Sequence, residues 1–354
     1  PPTAPPSTAP AQSAPPPAAP AVTAPSAATP SPGTPSRVGT LVVQCPLYRF
    51  GFSTQGAAMV SAELLQYESF TRPVEPGSSR RPAVQLAPRA AHGLISHIVR
   101  VDGNNIDFQK VAFRPDRSVL VLSAESEPAS LRFSGTDPQS GQQLDLTYTF
   151  RPNDYLVQIT AVTKPGGRSV QYLIDVGPTL AVNEANAIED LRALAYVFNS
   201  RQQGIQGVPL QALRAREDRA GTSVGLTRVE EGPLNWIALK NKYFMVAAIP
   251  DAPTGQGAFG GLVASDLPGR YAVDLKATLP AGPDHAAAYR LYVGPQEYDR
   301  QVAIGLEDVN PRGWRWIRPV VRPLGHAFTW ILLSTHRTTG IAYGWVLILF
   351  GIAV

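Results

Sequence analysis

Between Arg37 and about residue 310 the apolar residues come in short runs, cut by Pro, Gly, Asn and Asp. The clearest is Leu144, Leu146, Tyr148 and Phe150, with Asp145, Thr147 and Thr149 between them. A period of two places the four apolar side chains on one face of an extended strand. The turn-prone Arg151-Pro152-Asn153-Asp154 follows, and Tyr155, Val157, Ile159 and Ala161 then alternate again. The two runs predict an antiparallel hairpin with one buried and one wetter face. The same pattern returns at Val170, Tyr172, Ile174 and Val176, and at Tyr271, Val273, Leu275, Ala277 and Leu279. Further strands are expected at Val119–Ser123, Trp236–Leu239, Tyr243–Ala248 and Tyr289–Val293. One helical element is expected over Glu184–Asn199, where Ile188, Leu191, Leu194, Ala195 and Phe198 fall on a single helical face. Many strands joined by short turns predict a mainly β fold, a large antiparallel β-sandwich over residues 39–310, rather than a doubly wound sheet.

After Trp314 the period changes. Ile317, Val320, Val321, Leu324, Phe328, Ile331 and Leu332 recur at helical spacing and crowd into an arc of about 120°. Arg315, Arg318, Arg322 and His326 take the opposite side, and Pro319 and Pro323 place the helix start near one of them. An apolar stripe of this kind faces either a protein core or a membrane surface. Three features favour lipid. The polar face is basic without an acid, and Trp314, Trp316 and Trp330 flank the stripe, as suits side chains with an apolar body and one N–H donor. The third is the run Thr338–Val354, which carries no charge and is almost wholly apolar from Ile341 onward. A spanning helix needs about 20 such residues. The expectation is an amphipathic interfacial helix over residues 311–337, a turn marked by His336 and Arg337, and the start of a truncated transmembrane helix over 338–354. A buried core helix is the competing reading of that last run.

Residues 1–38 change the picture at the other end. From Pro1 to Ser36 there is no charge and no Leu, Ile, Phe, Tyr or Trp, while 13 of the 35 prolines fall there. Such a stretch has too little apolar surface to offset its ordering entropy and is expected to be a disordered, Pro/Ala-rich, semi-rigid linker. A linker implies something at both ends, so a preceding segment is expected before Pro1. A net charge of +4, from 31 basic against 27 acidic residues, argues against a general nucleic-acid binder. The single Cys45 excludes an internal disulfide and a Cys-rich zinc site and is expected to be a lone buried thiol.

No residue pattern announces catalysis, a metal or a cofactor, so no catalytic, metal or cofactor residue is assigned. His92 and His97 would lie on opposite faces of a continuous strand, and no carboxylate pair stands near them in sequence. Glu125-Ser126-Glu127 and Glu230-Glu231 are expected to be solvated loop charges, and Arg80-Arg81 and the Arg214–Arg219 cluster to be mixed surface. The Gly255–Gly261 segment lacks the Lys and Ser/Thr of a phosphate loop and is expected to be a hairpin connection.

Four stretches together resemble the large Gram-negative type of the YidC/Oxa1/Alb3 family of membrane protein insertases. Phe52-Ser53-Thr54-Gln55-Gly56-Ala57-Ala58 followed by Tyr67 is similar to the opening strands of that family's periplasmic domain. Trp236 to Phe244, with Asn241 and Tyr243, is similar to its W-x-x-x-x-N/Q-x-Y-F strand. Tyr292-Val293-Gly294-Pro295-Gln296-Glu297-Tyr298-Asp299 resembles the V-G-P-x-x-Y-D run near the domain's end. Gly313-Trp314, Arg322-Pro323-Leu324 and Gly340–Val354 are similar to the interfacial helix and the next membrane helix, although Gly325, His326 and Thr329 make this helix less bulky.

The resemblance covers about residues 47–354 and implies a mutarotase-like supersandwich. It also implies an inner-membrane location with residues 1–337 on the periplasmic side. The implied activity is assistance to the insertion, folding and assembly of membrane proteins, alone or with the Sec translocon, without covalent chemistry. The implied partners are the lipid bilayer, nascent membrane proteins and Sec components. The family's insertion groove, with its arginine, is not encoded in these residues. The alternative from another class is a membrane-anchored periplasmic β-sandwich that binds carbohydrate or peptide.

Overall fold

The computed structural model describes residues 39–354 except 75, 89–92, 214–225, 252–256, 268–270, 283, 307–308, 311–317, 342–343, 347 and 349–354. For 318–324, 326, 328–329 and 333 it describes the backbone alone. The linker expected at 1–38 therefore lies outside the described residues, as do His92 and the Arg214–Arg219 cluster.

In chain order the strands are β1 (Thr40–Gln44), β2 (Tyr48–Ser53), β3 (Met59–Glu68), β4 (Ala83–Gln85), β5 (Ile95–Val101) and β6 (Asn104–Asp107). There follow β7 (Phe113–Pro115), β8 (Val119–Val121), β9 (Ala129–Thr136), β10 (Gln143–Phe150), β11 (Leu156–Lys164) and β12 (Val170–Val176). A six-residue helix, α1 (Ala187–Arg192), precedes β13 (Ala195–Ser200), β14 (Gly204–Pro209) and β15 (Thr227–Lys240). The last strands are β16 (Phe244–Pro250), β17 (Phe259–Asp266), β18 (Val273–Pro280) and β19 (Ala286–Pro295). Helices α2 (Tyr298–Ile304) and α3 (Arg318–Thr339) follow, and residues 344–346 are again helical.

The mainly β, antiparallel sandwich expected from the sequence is what forms. A small sheet has the order β4-β3-β2-β1-β8, and the large one runs β6-β5-β12-β18-β17-β15-β16-β19-β11-β10-β9-β7, with β13 and β14 attached at β15. Among the described residues every pairing is antiparallel except β1 with β8. The predicted hairpin is β10–β11, with Leu146 opposite Ala161 and Tyr148 opposite Ile159. Alternation does its work there: Leu144, Leu146, Tyr148, Phe150, Val157, Ile159 and Ala161 are all buried.

That buried face receives two partners. From the small sheet, Phe52 meets Phe133, Tyr148 and Phe150 at ring-centroid distances of 6.1, 4.9 and 5.9 Å. From the far wing of the large sheet, His97 of β5 meets Tyr289 of β19, Nε2 to hydroxyl oxygen 2.8 Å. β5 and β19 stand six places apart in the sheet order, about 29 Å if the sheet were flat. The sheet must therefore fold back over itself, and the apolar rows of both wings supply the reason.

β15 joins the wings. Its first half pairs with β17 and its second with β13 and β16, and the register breaks between Glu231 and Leu234. Pro233 lies in the break, where it has no N–H to give a ladder.

Three expectations are corrected. The helix expected over Glu184–Asn199 shrinks to α1, while Ala195 and Phe198 belong to strand β13. Ala195, Tyr196, Val197 and Phe198 are all buried, so β13 is covered on both faces and shows no alternation to read. Glu230 and Glu231 sit on β15 rather than in a loop, with Glu230 paired to Arg228 at 3.3 Å. Finally, α3 runs two residues beyond Arg337, to Thr339. Cys45 is buried and free, as expected.

Candidate membrane-facing site

Part of what the sequence singled out meets at one end of the sandwich, and the Phe52–Ala58 segment does not. Ala58 precedes β3 and Tyr67 lies at its far end, so the Phe52–Ala58 segment and Tyr67 are about 30 Å apart. The first segment serves the core: Gly56 (φ +72°) and Ala57 (φ +48°) make a left-handed turn whose Ala57 carbonyl accepts the Tyr148 hydroxyl at 3.0 Å. A side chain at Gly56 would meet the Gln109 carbonyl oxygen at 2.9 Å.

Tyr67, the Trp236–Phe244 stretch and the run from Tyr292 to Asp299 come together instead. Between β15 and β16 the buried Asn241 accepts the Tyr243 and Phe244 amides on its side-chain oxygen at 3.1 and 2.8 Å. An Asn at this position replaces the missing ladder of a tight connection with its own amide group. Gln296 then locks the turn to β19, donating from its side chain to the Asn241 and Phe244 carbonyls at 2.9 and 3.2 Å. Its backbone amide donates to the Tyr243 carbonyl at 2.7 Å. Gly294 is required where it stands, because an added Cβ would lie 2.8 Å from the Tyr155 ring.

Glu297, at the N-terminal cap of α2, carries no cap hydrogen bond and turns its carboxylate outward to other partners. The Tyr67 hydroxyl donates to one oxygen and Arg300 Nε to the other, the latter at 2.6 Å. Burial, with the bond to Glu297 second, holds the Tyr67 phenol well above the ordinary range, so it stays a donor. Arg300 also lies 5.0 Å over the Tyr155 ring. Strand β3, strand β11 and α2 are thereby tied at one point.

From that point the chain leads to α3. Two polar contacts hold the far end of that helix. Asp299 of α2 pairs with Arg337, and Gly340 (φ +68°) caps the helix by donating to the His336 carbonyl at 2.8 Å. No spacing pattern relates Asp299 to Arg337, because 38 residues separate them. Likewise nothing in the spacing linked Tyr67 with Glu297.

Of the residues expected to face a membrane, Trp314, Trp316 and Ile317 lie outside the described residues. Arg318, Val320, Val321, Arg322, Leu324 and Phe328 are on α3, with backbone alone described. Trp330 is 68% and Ile331 37% exposed, while Leu332 is half-buried. Beyond the cap, Trp345 is 64% exposed. Among the described residues no helix is long and apolar enough to cross a membrane, and 342–343, 347 and 349–354 of the expected span lie outside them.

The histidine route to sugar chemistry finds no support in the geometry. His97 is 1% exposed and faces Tyr289 in the core, and burial lowers its pKa to about 4. A base sealed from solvent reaches no substrate. Among the described residues no group of His, Cys, Asp and Glu could hold a metal.

Comparison with known proteins settles what this end belongs to. The sequence profile of the YidC periplasmic domain matches residues 40–324, from the first residue of β1 into α3. The chain belongs to the YidC family.

Relatives of this family include the membrane protein insertase YidC of Chlorobium phaeovibrioides, 27% identical over 89% of this chain and 52% of that protein. Those of Chlorobaculum parvum and Coxiella burnetii are 26% and 25% identical over 72% and 85% of this chain. The chain spans about half the length of the curated relatives it matches. Among solved structures it is similar to a galactose mutarotase-like protein from Lactobacillus casei, with a TM-score of 0.42 and 9% identity, covering 73% of this chain and all of that one. A putative mutarotase from Salmonella typhimurium matches with a TM-score of 0.39 and 12% identity, over 72% of this chain and 90% of that one.

Proposed function

We propose that the protein works as part of an inner-membrane protein insertase, contributing the periplasmic sandwich and a helix that lies in the lipid interface. The observation that carries this reading is the family match over residues 40–324, which runs from the sandwich into α3 without a break. Insertion is a problem of solvent: an unsatisfied backbone group or charge costs several kcal/mol in hydrocarbon. The substrates on this reading are nascent membrane proteins, and no covalent step is needed.

Residues 39–354 supply a support for that work. On this reading the apolar stripe read from the sequence, Ile317, Val320, Val321, Leu324, Phe328, Ile331 and Leu332, meets lipid, with Trp314, Trp316 and Trp330 at headgroup level and Arg318 and Arg322 toward phosphate. Apolar burial supplies most of the affinity, and each arginine adds about 1 kcal/mol near anionic lipid. The Asp299–Arg337 pair ties the end of the helix to α2, and the Tyr67–Glu297–Arg300 junction ties α2 to the sandwich. Residues 338–354 lead onward into the bilayer, and residues 1–337 face the periplasm.

Depletion of the full-length protein in its own bacterium tests the activity. Newly made inner-membrane proteins should then remain uninserted, as read by protease protection after a pulse label; normal insertion would overturn the reading. A Sec translocon component is the expected docking partner of the sandwich, and in-membrane crosslinking from its surface should yield a Sec adduct. Crosslinking that gives none removes that partner.

A further inference from the structure

The described sandwich leaves large apolar side chains exposed in three places. Val119 and Val121 sit on the short edge strand β8, and Val229 faces Val263 across β15 and β17. The third group comprises Phe70, Ile188, Tyr243 and Val302, which are 49, 62, 46 and 47% exposed. It is drawn from four separate segments, and one chain of contacts joins them. The Phe70 amide donates to the Asn183 carbonyl at 2.7 Å, and the Asn183 amide reaches the Asp190 carboxylate of α1 at 3.2 Å. Glu189 of α1 pairs with Lys242 at 3.1 Å in the β15–β16 turn, beside Tyr243. Gln296 fastens that turn to the start of α2, which carries Val302 and also Asp299, the partner of Arg337 in α3. The group therefore occupies the end of the sandwich at which Asp299 pairs with α3.

Its chemistry suits a headgroup layer. Arg81 lies 4.8 Å over the Phe70 ring and Lys242 5.2 Å over the Tyr243 ring. A ring at the acyl boundary with a long cationic side chain above it matches the polarity gradient of a bilayer surface. Other charges nearby pair with one another, Arg72 with Glu63 at 2.9 Å, Arg80 with Glu68 at 3.4 Å and Arg300 with Glu297 at 2.6 Å.

We propose that this end of the sandwich is a second lipid-contact surface, with Phe70, Ile188, Tyr243 and Val302 entering the headgroup layer beside α3. The inference rests on the reading of α3 as an interfacial helix, because the Asp299–Arg337 pair then keeps α2 within a side chain's length of the lipid plane. Since the ion pairs nearly cancel, the contact is chiefly apolar and does not depend on anionic lipid.

The test uses the 354-residue chain with Cys45→Ser and single labelling sites Phe70→Cys, Tyr243→Cys or Val302→Cys, each carrying an environment-sensitive fluorophore. A label at Trp330→Cys reports on α3 and one at Val229→Cys serves as a water-facing control. With phosphatidylcholine vesicles, emission at 70, 243 and 302 should rise at least twofold, as it does at 330, and be quenched by lipids doxyl-labelled near the headgroup. The control at 229 should not change. A rise at 330 alone overturns the second surface and leaves the helix reading intact. No rise at any site overturns both. A rise only when phosphatidylglycerol is present overturns the apolar character claimed for the contact.

Discussion

Phe52 and Trp330 are both large aromatic residues in strongly patterned segments, and the structure puts them in opposite surroundings. Phe52 is fully buried among Phe133, Tyr148 and Phe150, whereas Trp330 is 68% exposed on a helix with an equally regular apolar period. The difference lies in what each element has to pack against. Strand β2 finds the apolar face of β9 and β10, while the contacts described for α3 are polar ones at its end, Arg337 to Asp299 and His336 Nδ1 to the Ile341 carbonyl at 2.7 Å. Periodicity reports that a face is apolar; only the surroundings report which solvent that face needs.

The contrast can be broken hardest in the core. Phe52→Ala should cost about 3–5 kcal/mol of stability, read from urea unfolding of the sandwich, because three rings close over the space it leaves. Next comes acid. Burial depresses the His97 pKa from 6.5 to about 4, so the unfolded chain takes up a proton before the folded one. The His97 contribution should be unchanged above pH 7 and decline as pH falls through 6.5. It levels off below 4 after a loss of about 3 kcal/mol. His97→Gln should flatten that part of the stability–pH curve; an unaltered slope would mean that other groups set it. Asn241→Ala leaves the Tyr243 and Phe244 amides without their acceptor and should cost about 1–3 kcal/mol in the same assay. At the other extreme, Trp330→Ala and Asp299→Asn should each shift unfolding by less than about 0.5 kcal/mol, since both sites are exposed. A large effect from Trp330→Ala would place α3 in the core and erase the contrast.

Much of the sandwich was legible because half-buried antiparallel strands write their burial into the chain. β10, β11, β12 and β18 each show alternation, and each was found. β13 was misread for the complementary reason. Burial on both faces removes the period of two, and the spacing of Leu191, Leu194, Ala195 and Phe198 then imitates a helical stripe. The site was legible as motifs but not as an assembly. Tyr67 and Glu297 are 230 residues apart, and no local spacing can predict a hydrogen bond across that distance. The family motifs marked both ends of the bond without showing that they meet. The helix α3 is legible from its period and its basic, Trp-flanked face, whereas its attachment through Asp299 is visible only in the structure.

The central claim is that the apolar stripe of α3 has lipid as its solvent. A spin-label scan along 318–339, one cysteine at a time in the Cys45→Ser chain bound to vesicles, measures this directly through collision with oxygen and with a water-soluble nickel chelate. With lipid as the solvent, oxygen accessibility should show a 3.6-residue period, peaking at 320, 324, 328 and 331, with labels there about 5–10 Å below the phosphates. Low accessibility to both reagents along the stripe would show that the helix packs against protein, and would contradict the claim.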